Sequence, residues 1–299
     1  MKFNKLVSYV KNPAKIVAYF ISGKAKFVSD ETYLKILYKA IFGRKLDLQN
    51  PQTFNEKLQW MKLYDRNPLY TQLVDKYAVR EFVKERIGEQ YLLENYGVWD
   101  RVDDIDFDSL PEQFVMKCTH NSGGVVICTD KKQLDIAKAK EKLERCLKGN
   151  YYYRSREWPY KNVPPRVIAE RSLITSPTDN LLDYKFFCFD GKVEFLFIAS
   201  DRHQGEVKFD YFDPDFNRME LRQGAHANSD YSFEKPEKFD EMLLLAEKLS
   251  KGFRQVRVDL YCVNGEIYFG EMTFFHHGGF VPFIPDTWDY VFGSKIKID

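Results

Sequence analysis

The chain has 299 residues, 44% hydrophobic and 16% aromatic, enough for one large or two to three small packed units and unlike a disordered composition. Forty-five basic against forty-four acidic residues leave a net charge of +1, which excludes a chain-wide electrostatic drive toward nucleic acid. The five cysteines are odd in number and show no CxxC spacing, so reduced thiols in a cytosolic protein are expected instead of a disulfide or zinc framework.

The first thirty residues carry Lys2, Lys5, Lys11, Lys15, Lys24 and Lys26 among Val, Ile, Tyr and Phe. They read either as a basic amphipathic surface for anionic lipid or as an ordinary solvated helix face. The longest apolar stretch, 16–21, is six residues, against the ~20 that a membrane helix needs. A signal peptide's longer apolar segment is missing too, so a cytoplasmic location with at most peripheral membrane contact is expected.

Residues 1 to about 95 show helical spacing of apolar positions, as in Leu34, Leu37, Ile41 and in Phe54, Leu58, Met61. Thr53 with Glu56 three residues on is a capping-box signal. The texture changes near Leu110-Pro111, and β structure is expected from about residue 113. Runs at 114–118 and 125–128 around a glycine-containing tip, a helix over 133–147 and a strand at 166–170 make a ββαβ unit. Next come a hairpin about Asp190-Gly191, a helix over 236–251, and a last hairpin, 255–262 with 266–273, about Asn264-Gly265. Three units are expected: a helical region 1–110, a small α+β unit 111–174 and a larger one 175–299.

The last hairpin places Arg257, Asp259 and Glu271 among Val, Leu, Ile and Phe, where they need partners. A divalent cation with a polyphosphate is one solution; a mutual Arg257–Glu271 ion pair is the other. In the tip loop Asn121-Ser122-Gly123-Gly124, paired glycines let backbone N–H groups approach phosphate, and Lys117 stands at the end of the preceding strand. Glu170 ends the strand Arg166-Val-Ile-Ala, just before Leu173. Asp213-Pro214-Asp215 reads as a turn more readily than as the DxD of a glycosyltransferase. His276-His277, before two glycines, suits substrate better than metal. Tyr151-Tyr152-Tyr153 with Arg154, Arg156, Trp158 and Tyr160 suits either sugar stacking or a packed connection between domains.

In order, these elements resemble the ATP-grasp superfamily, and within it the branch named after the teichuronopeptide biosynthesis protein TupA. The resemblance is carried by Phe54-Asn55-Glu56-Lys57-Leu58-Gln59-Trp60, Asp75-Lys76-Tyr77-Ala78-Val79-Arg80 and Gly270-Glu271-Met272-Thr273-Phe274. It implies an α+β ATP-grasp fold, two subdomains clasping ATP, preceded by a mainly helical region. Lys117 would contact the α and β phosphates, the loop 121–124 would cover the triphosphate, and Glu170 with the backbone at Leu173 would hold adenine. Asp183 would face the ribose and Lys185 the phosphates. Asp259 and Glu271 would hold one or two Mg²⁺ ions, with Arg257 and Arg202 stabilising the transferring phosphoryl group. Lys76 resembles a lysine that precedes the nucleotide domain. Thr273 stands where many relatives have Asn, a better metal ligand.

The implied chemistry is ATP-dependent activation of a carboxylate, for amide formation between a uronic acid and an amine or amino acid in capsular or other surface polysaccharide synthesis. A kinase on the same fold and a metal-dependent glycosyltransferase are the alternatives. The metal reading carries a geometric condition, because a plain two-residue turn at Asn264-Gly265 would throw Asp259 and Glu271 onto opposite faces. A three-residue loop with left-handed Gly265, setting Arg257 opposite Glu271, or an equivalent one-residue bulge elsewhere in the hairpin, is therefore expected.

Overall fold

The computed structural model describes residues 26–174, 176, 180–201 and 207–298. Arg202 and the lysines before Lys26 lie outside the described residues.

Helix α1 (Asp30–Phe42) starts where Ser29 Oγ accepts from Thr32 N and ends at left-handed Gly43. Helix α2 (Phe54–Tyr64) carries the capping box read from its sequence, with Thr53 accepting from Glu56 N and Glu56 accepting from Thr53 N. The α2 core face is not purely apolar: Asn55, Gln59 and Lys62 are buried beside Phe54, Leu58 and Met61. Phe54 packs its edges on Phe187, Phe189, Phe283 and Phe292, tying the helical region to the large sheet. Two short helices, α3 (Leu69–Val74) and α4 (Val79–Arg86), follow.

Strand structure begins earlier than expected, at β1 (Asn95–Trp99), which pairs with β4 (Val167–Arg171). With β2 (Phe114–Cys118) and β3 (Val126–Cys128) these make an antiparallel sheet of order β1-β4-β2-β3. Helix α5 (Ile136–Leu147) is shorter than the expected 133–147, because Asp135 caps it from Lys138 N. It buries Ala139 and Leu143 against Phe114, Met116, Cys118 and Val167. The other face of this sheet, bearing Val115, Lys117, Ile127 and Glu170 in register, is left to the cleft.

The large sheet is also antiparallel, in the order β11-β10-β5-β6-β7-β8. It comprises β5 (Asp183–Phe189), β6 (Lys192–Ser200), β7 (Lys208–Phe212), β8 (Arg218–Met219), β10 (Gln255–Val263) and β11 (Glu266–Thr273). β9 (Arg222–Gln223) pairs separately with β12 (Phe283–Ile284). The β5–β6 turn has the expected two residues, Asp190 and Gly191, both left-handed. Phe186, Cys188, Val256, Val258 and Leu260 pack on helix α7 (Phe239–Ser250), which follows the four-residue helix α6 (Tyr152–Ser155) in chain order. The alternate residues, Asp183, Lys185, Arg257 and Asp259, point the opposite way into the cleft. Helix α8 (Thr287–Ser294) crosses α2 at Gly293, where an added Cβ would stand 2.3 Å from Gln52 O. Among the described residues no helix is long and apolar enough to cross a membrane.

Candidate active site

The last hairpin meets its geometric condition by a different route from the expected loop. Its turn has two residues, Asn264 and Gly265, at φ 53° and 77°, and Val263 faces Glu266. The register holds to Leu260 opposite Phe269, then shifts so that Asp259 faces Glu271 and Arg257 faces Thr273. Gly270 is the extra residue. A Cβ there would stand 3.0 Å from Asp259 O and 3.0 Å from the Tyr261 ring, so glycine lets the bulge close. The three-residue loop, with Arg257 opposite Glu271, is thus corrected, while the left-handed Gly265 and the one-residue bulge elsewhere in the hairpin, its expected equivalent, are both present. The consequence drawn from it stands, because one bulge returns both acids to one face.

On that face Arg257 is the hub. Its Nε and Nη2 donate to the two oxygens of Asp259 at 2.6 and 2.7 Å, and Nη2 also reaches Glu271 Oε1 and Thr273 Oγ1, each at 3.0 Å. Lys185, opposite Asp259 on β5, donates to Asp259 and, at 2.7 Å, to Asp183. Asp259 is fully buried, and burial pushes its carboxyl up against the pull of Arg257 and Lys185. Glu271 is 38% exposed at its side chain. Against its own desolvation, Lys76, Lys185 and Arg257 hold its carboxyl well below the usual carboxylate range. The Arg257–Glu271 ion pair expected as the alternative is present, within a cluster that also holds Asp259. Among the described residues no three His, Cys, Asp or Glu side chains are placed to hold a metal by themselves. Two carboxylates are nevertheless what Mg²⁺ takes from protein when phosphates complete its shell.

Facing the hairpin across the cleft is the small sheet. Glu170 bridges two cations, Arg80 Nη1 at 3.0 Å and Lys117 Nζ at 2.6 Å. Arg80, unremarked in the sequence beyond its motif, thus anchors the acid expected beside adenine. In the tip loop Ser122 and Gly123 are open to solvent, while Asn121 is buried and donates through Nδ2 to Cys146 Sγ and Cys146 O. Lys76 Nζ ties the loop down at Asn121 O, 2.6 Å. Gly124 is left-handed, and a Cβ on it would come within 2.2 Å of Cys146 Sγ. The cleft, about 410 Å³, has Val115, Ile127 and Leu173 on its apolar side and Lys117, Asp183 and Glu271 on its polar side. Ile127 stands 42% exposed on β3, an apolar surface of the kind a planar base covers.

A second cavity of about 330 Å³ adjoins the first, sharing Ser122, Lys185 and Glu271 with it. Tyr151, Tyr160, Phe209, His226 and His277 line it, together with Glu157. The segment after β11 enters it through three successive left-handed residues, His277, Gly278 and Gly279. Non-glycine His277 holds that conformation because α2 clamps the turn. Gln59 Nε2 donates to the carbonyls of Gly278 and Gly279 at 3.2 and 2.8 Å, and Lys62 Nζ donates to Gly278 O at 2.6 Å.

His276 points away from the cavity. Its Nδ1 accepts from Arg257 Nη1 at 2.6 Å, so Nε2 carries the proton and donates to Gln223 Oε1 at 2.6 Å. Burial holds the ring well below its ordinary pKa. With both nitrogens engaged it has no lone pair for a metal. His277, lowered to about 3 mainly by burial, is neutral, and its buried Nε2 has no hydrogen-bond partner among the described residues. Asp213 is confirmed as a turn residue, accepting from Asp215 N and from Asn217 N and Nδ2.

The TupA-like ATP-grasp family model matches residues 56–297. Comparison with curated protein sequences gives no match. Among solved structures the chain is similar to D-alanine–D-alanine ligase from Bacillus anthracis complexed with ATP, at 17% identity and TM-score 0.39, over 68% of this chain and 53% of that one. It is also similar to the L-amino acid ligase from Bacillus licheniformis, at 14% identity and TM-score 0.45, over 85% and 57%. A third is the ATP-grasp ligase PsnB complexed with minimal precursor, Mg and ADP, at 12% identity and TM-score 0.37, over 74% and 57%. The chain thus spans little more than half the length of these structures. The family model covers well over half of the chain, which belongs to the TupA-like ATP-grasp family.

Proposed function

We propose that the chain is an ATP- and Mg²⁺-dependent carboxylate–amine ligase of cell-surface polysaccharide synthesis, joining an amine or amino acid to a uronic acid through an acyl phosphate. The observation that carries the reading is the pairing of cavities: a nucleotide-sized cleft opens past Lys185 and Glu271 into a second polar cavity. Transfer of a terminal phosphoryl group needs its acceptor at such a junction.

In this reading Val115, Ile127 and Leu173 enclose the base, Asp183 faces the ribose, and Lys117 with the loop at Ser122, Gly123 and Gly124 covers the phosphates. Lys117 leaves Glu170 in part to do so, since the two are paired at 2.6 Å. Asp259 and Glu271 are the residues that would hold Mg²⁺, whose charge, when bound, offsets that of the phosphates. Arg257, fixed by Asp259 and His276, aims a guanidinium at the junction, where it stabilises charge without reorganising. Thr273, hydrogen-bonded to Arg257 and Glu271, orients these groups more than it ligates metal.

The test is oxygen transfer. With ATP, Mg²⁺, an ¹⁸O-carboxylate-labelled uronate and an amine, a ligase releases inorganic phosphate carrying one ¹⁸O. A kinase instead leaves phosphorylated sugar and no free phosphate, and a nucleotide-sugar transferase leaves ATP intact; either outcome rejects the proposal.

A further inference from the structure

The second cavity is electrically polarised. Its junction wall carries Lys185 and Arg257, and its lining also holds one acid outside the hairpin cluster, Glu157, which is 3% exposed. Glu157 Oε1 accepts from Ser155 Oγ at 2.5 Å. The carboxylate makes no ion pair among the described residues. Lys62 lies behind the turn, but its three N–H donors are used by Gln59 Oε1, Ser155 O and Gly278 O. Lys185 and Arg257 are likewise bound to Asp183, Asp259 and Glu271. A buried carboxylate on the wall of a cavity is stabilised by a cation brought to it there. Tyr151 and Tyr160 beside it supply aromatic surfaces of the kind that accept an ammonium.

We propose that the second cavity receives the amine substrate as its ammonium, with Glu157 as the group that binds it and takes its proton. This rests on the ligase reading of the adjoining cleft. The ammonium gives one proton to the Glu157 carboxylate, and the freed lone pair forms the C–N bond to the acyl phosphate carbonyl carbon. The C–O bond to phosphate breaks, its electrons leaving with phosphate, which takes the second N–H proton; Glu157 later returns its proton to water. Burial pushes the Glu157 carboxyl above the ordinary range, against Lys62, Ser155, Arg154 and Arg257, which suits a group that must accept a proton near neutrality. Tyr151, Tyr160, Lys185, His226, Glu271 and His277 are the other titratable groups that line the cavity with it.

The test uses the full chain with ATP, Mg²⁺ and D-glucuronate or D-galacturonate, and two kinds of nucleophile. Hydroxylamine, largely unprotonated at neutral pH, needs neither an ammonium site nor a base; the twenty L-amino acids need both. Glu157→Gln is expected to keep hydroxamate formation within about threefold and to lose about 10²–10⁴-fold in kcat/KM for the amino acid. Should that variant not fold, Glu157→Asp keeps the charge. It is expected to raise the amino acid KM severalfold with hydroxamate formation unchanged. Equal use of the amino acid by wild type and variant, or hydroxamate formation with no amino acid accepted, overturns the amine assignment while leaving the ligase reading intact. Wild-type protein that forms no hydroxamate removes the ligase reading, and this inference with it.

Discussion

Asp259→Asn is expected to lower the melting temperature by several degrees before any question of activity arises. The carboxylate is fully buried and takes two bonds from Arg257 and one from Lys185. Asparagine keeps the shape but offers one acceptor oxygen, and its NH₂ would face N–H donors. Removing one partner of a buried ion pair costs about 3–5 kcal/mol. The lower end applies, because Asp183 and Glu271 remain as counter-charges for Lys185 and Arg257. The burial that puts stability before turnover here is not visible in the sequence, where Asp259 reads only as a metal-holding acid. Differential scanning calorimetry decides the matter. An unchanged melting temperature would mean that Arg257 and Lys185 do not depend on the Asp259 charge, and would contradict the expectation.

Glu271→Gln is expected to show the opposite balance. Its carboxylate faces the cleft, 38% exposed, and a partly solvated ion pair contributes within about 1 kcal/mol. On the ligase reading it is one of two metal-holding acids, and loss of one preorganised electrostatic group costs about 10²–10³-fold in kcat. ADP release measured beside thermal unfolding separates the two effects. Native turnover in Glu271→Gln would leave the acid as no more than a partner for Arg257.

Much of this arrangement is legible in the residues. Thr53 with Glu56 and Asp190-Gly191 are local signals, each satisfied within a few residues, and each appears as read; Asn264-Gly265 marks the last hairpin's turn, though with two residues in place of three. A one-residue bulge was legible from the need to bring both acids to one face, but its position, five residues beyond a two-residue turn, was not. The signal was Gly270, an isolated glycine in a strand pattern, which marks a bulge or a close backbone approach. β1 escaped because Asn95-Tyr-Gly-Val-Trp is half-buried at every position and shows no alternation. Asn55, Gln59 and Lys62 recur at helical spacing on the core side of α2, a sign that polar groups there meet backbone from elsewhere. That partner, the His277–Gly279 turn, is some 220 positions away in the chain. Glu157 offered no local signal. What marks it is a wall built from distant segments.

On the ligase reading, ATP occupies the cleft between the Ser122 loop and the Asp259 hairpin. Calorimetric titration of the purified chain with ATP and ADP in Mg²⁺, alongside UDP- and GDP-sugars, tests it most directly. Saturable one-to-one binding of ATP and ADP, weakened by Lys117→Ala and absent for the nucleotide sugars, is the expected result. Tight binding of a nucleotide sugar with none of ATP or ADP would contradict it.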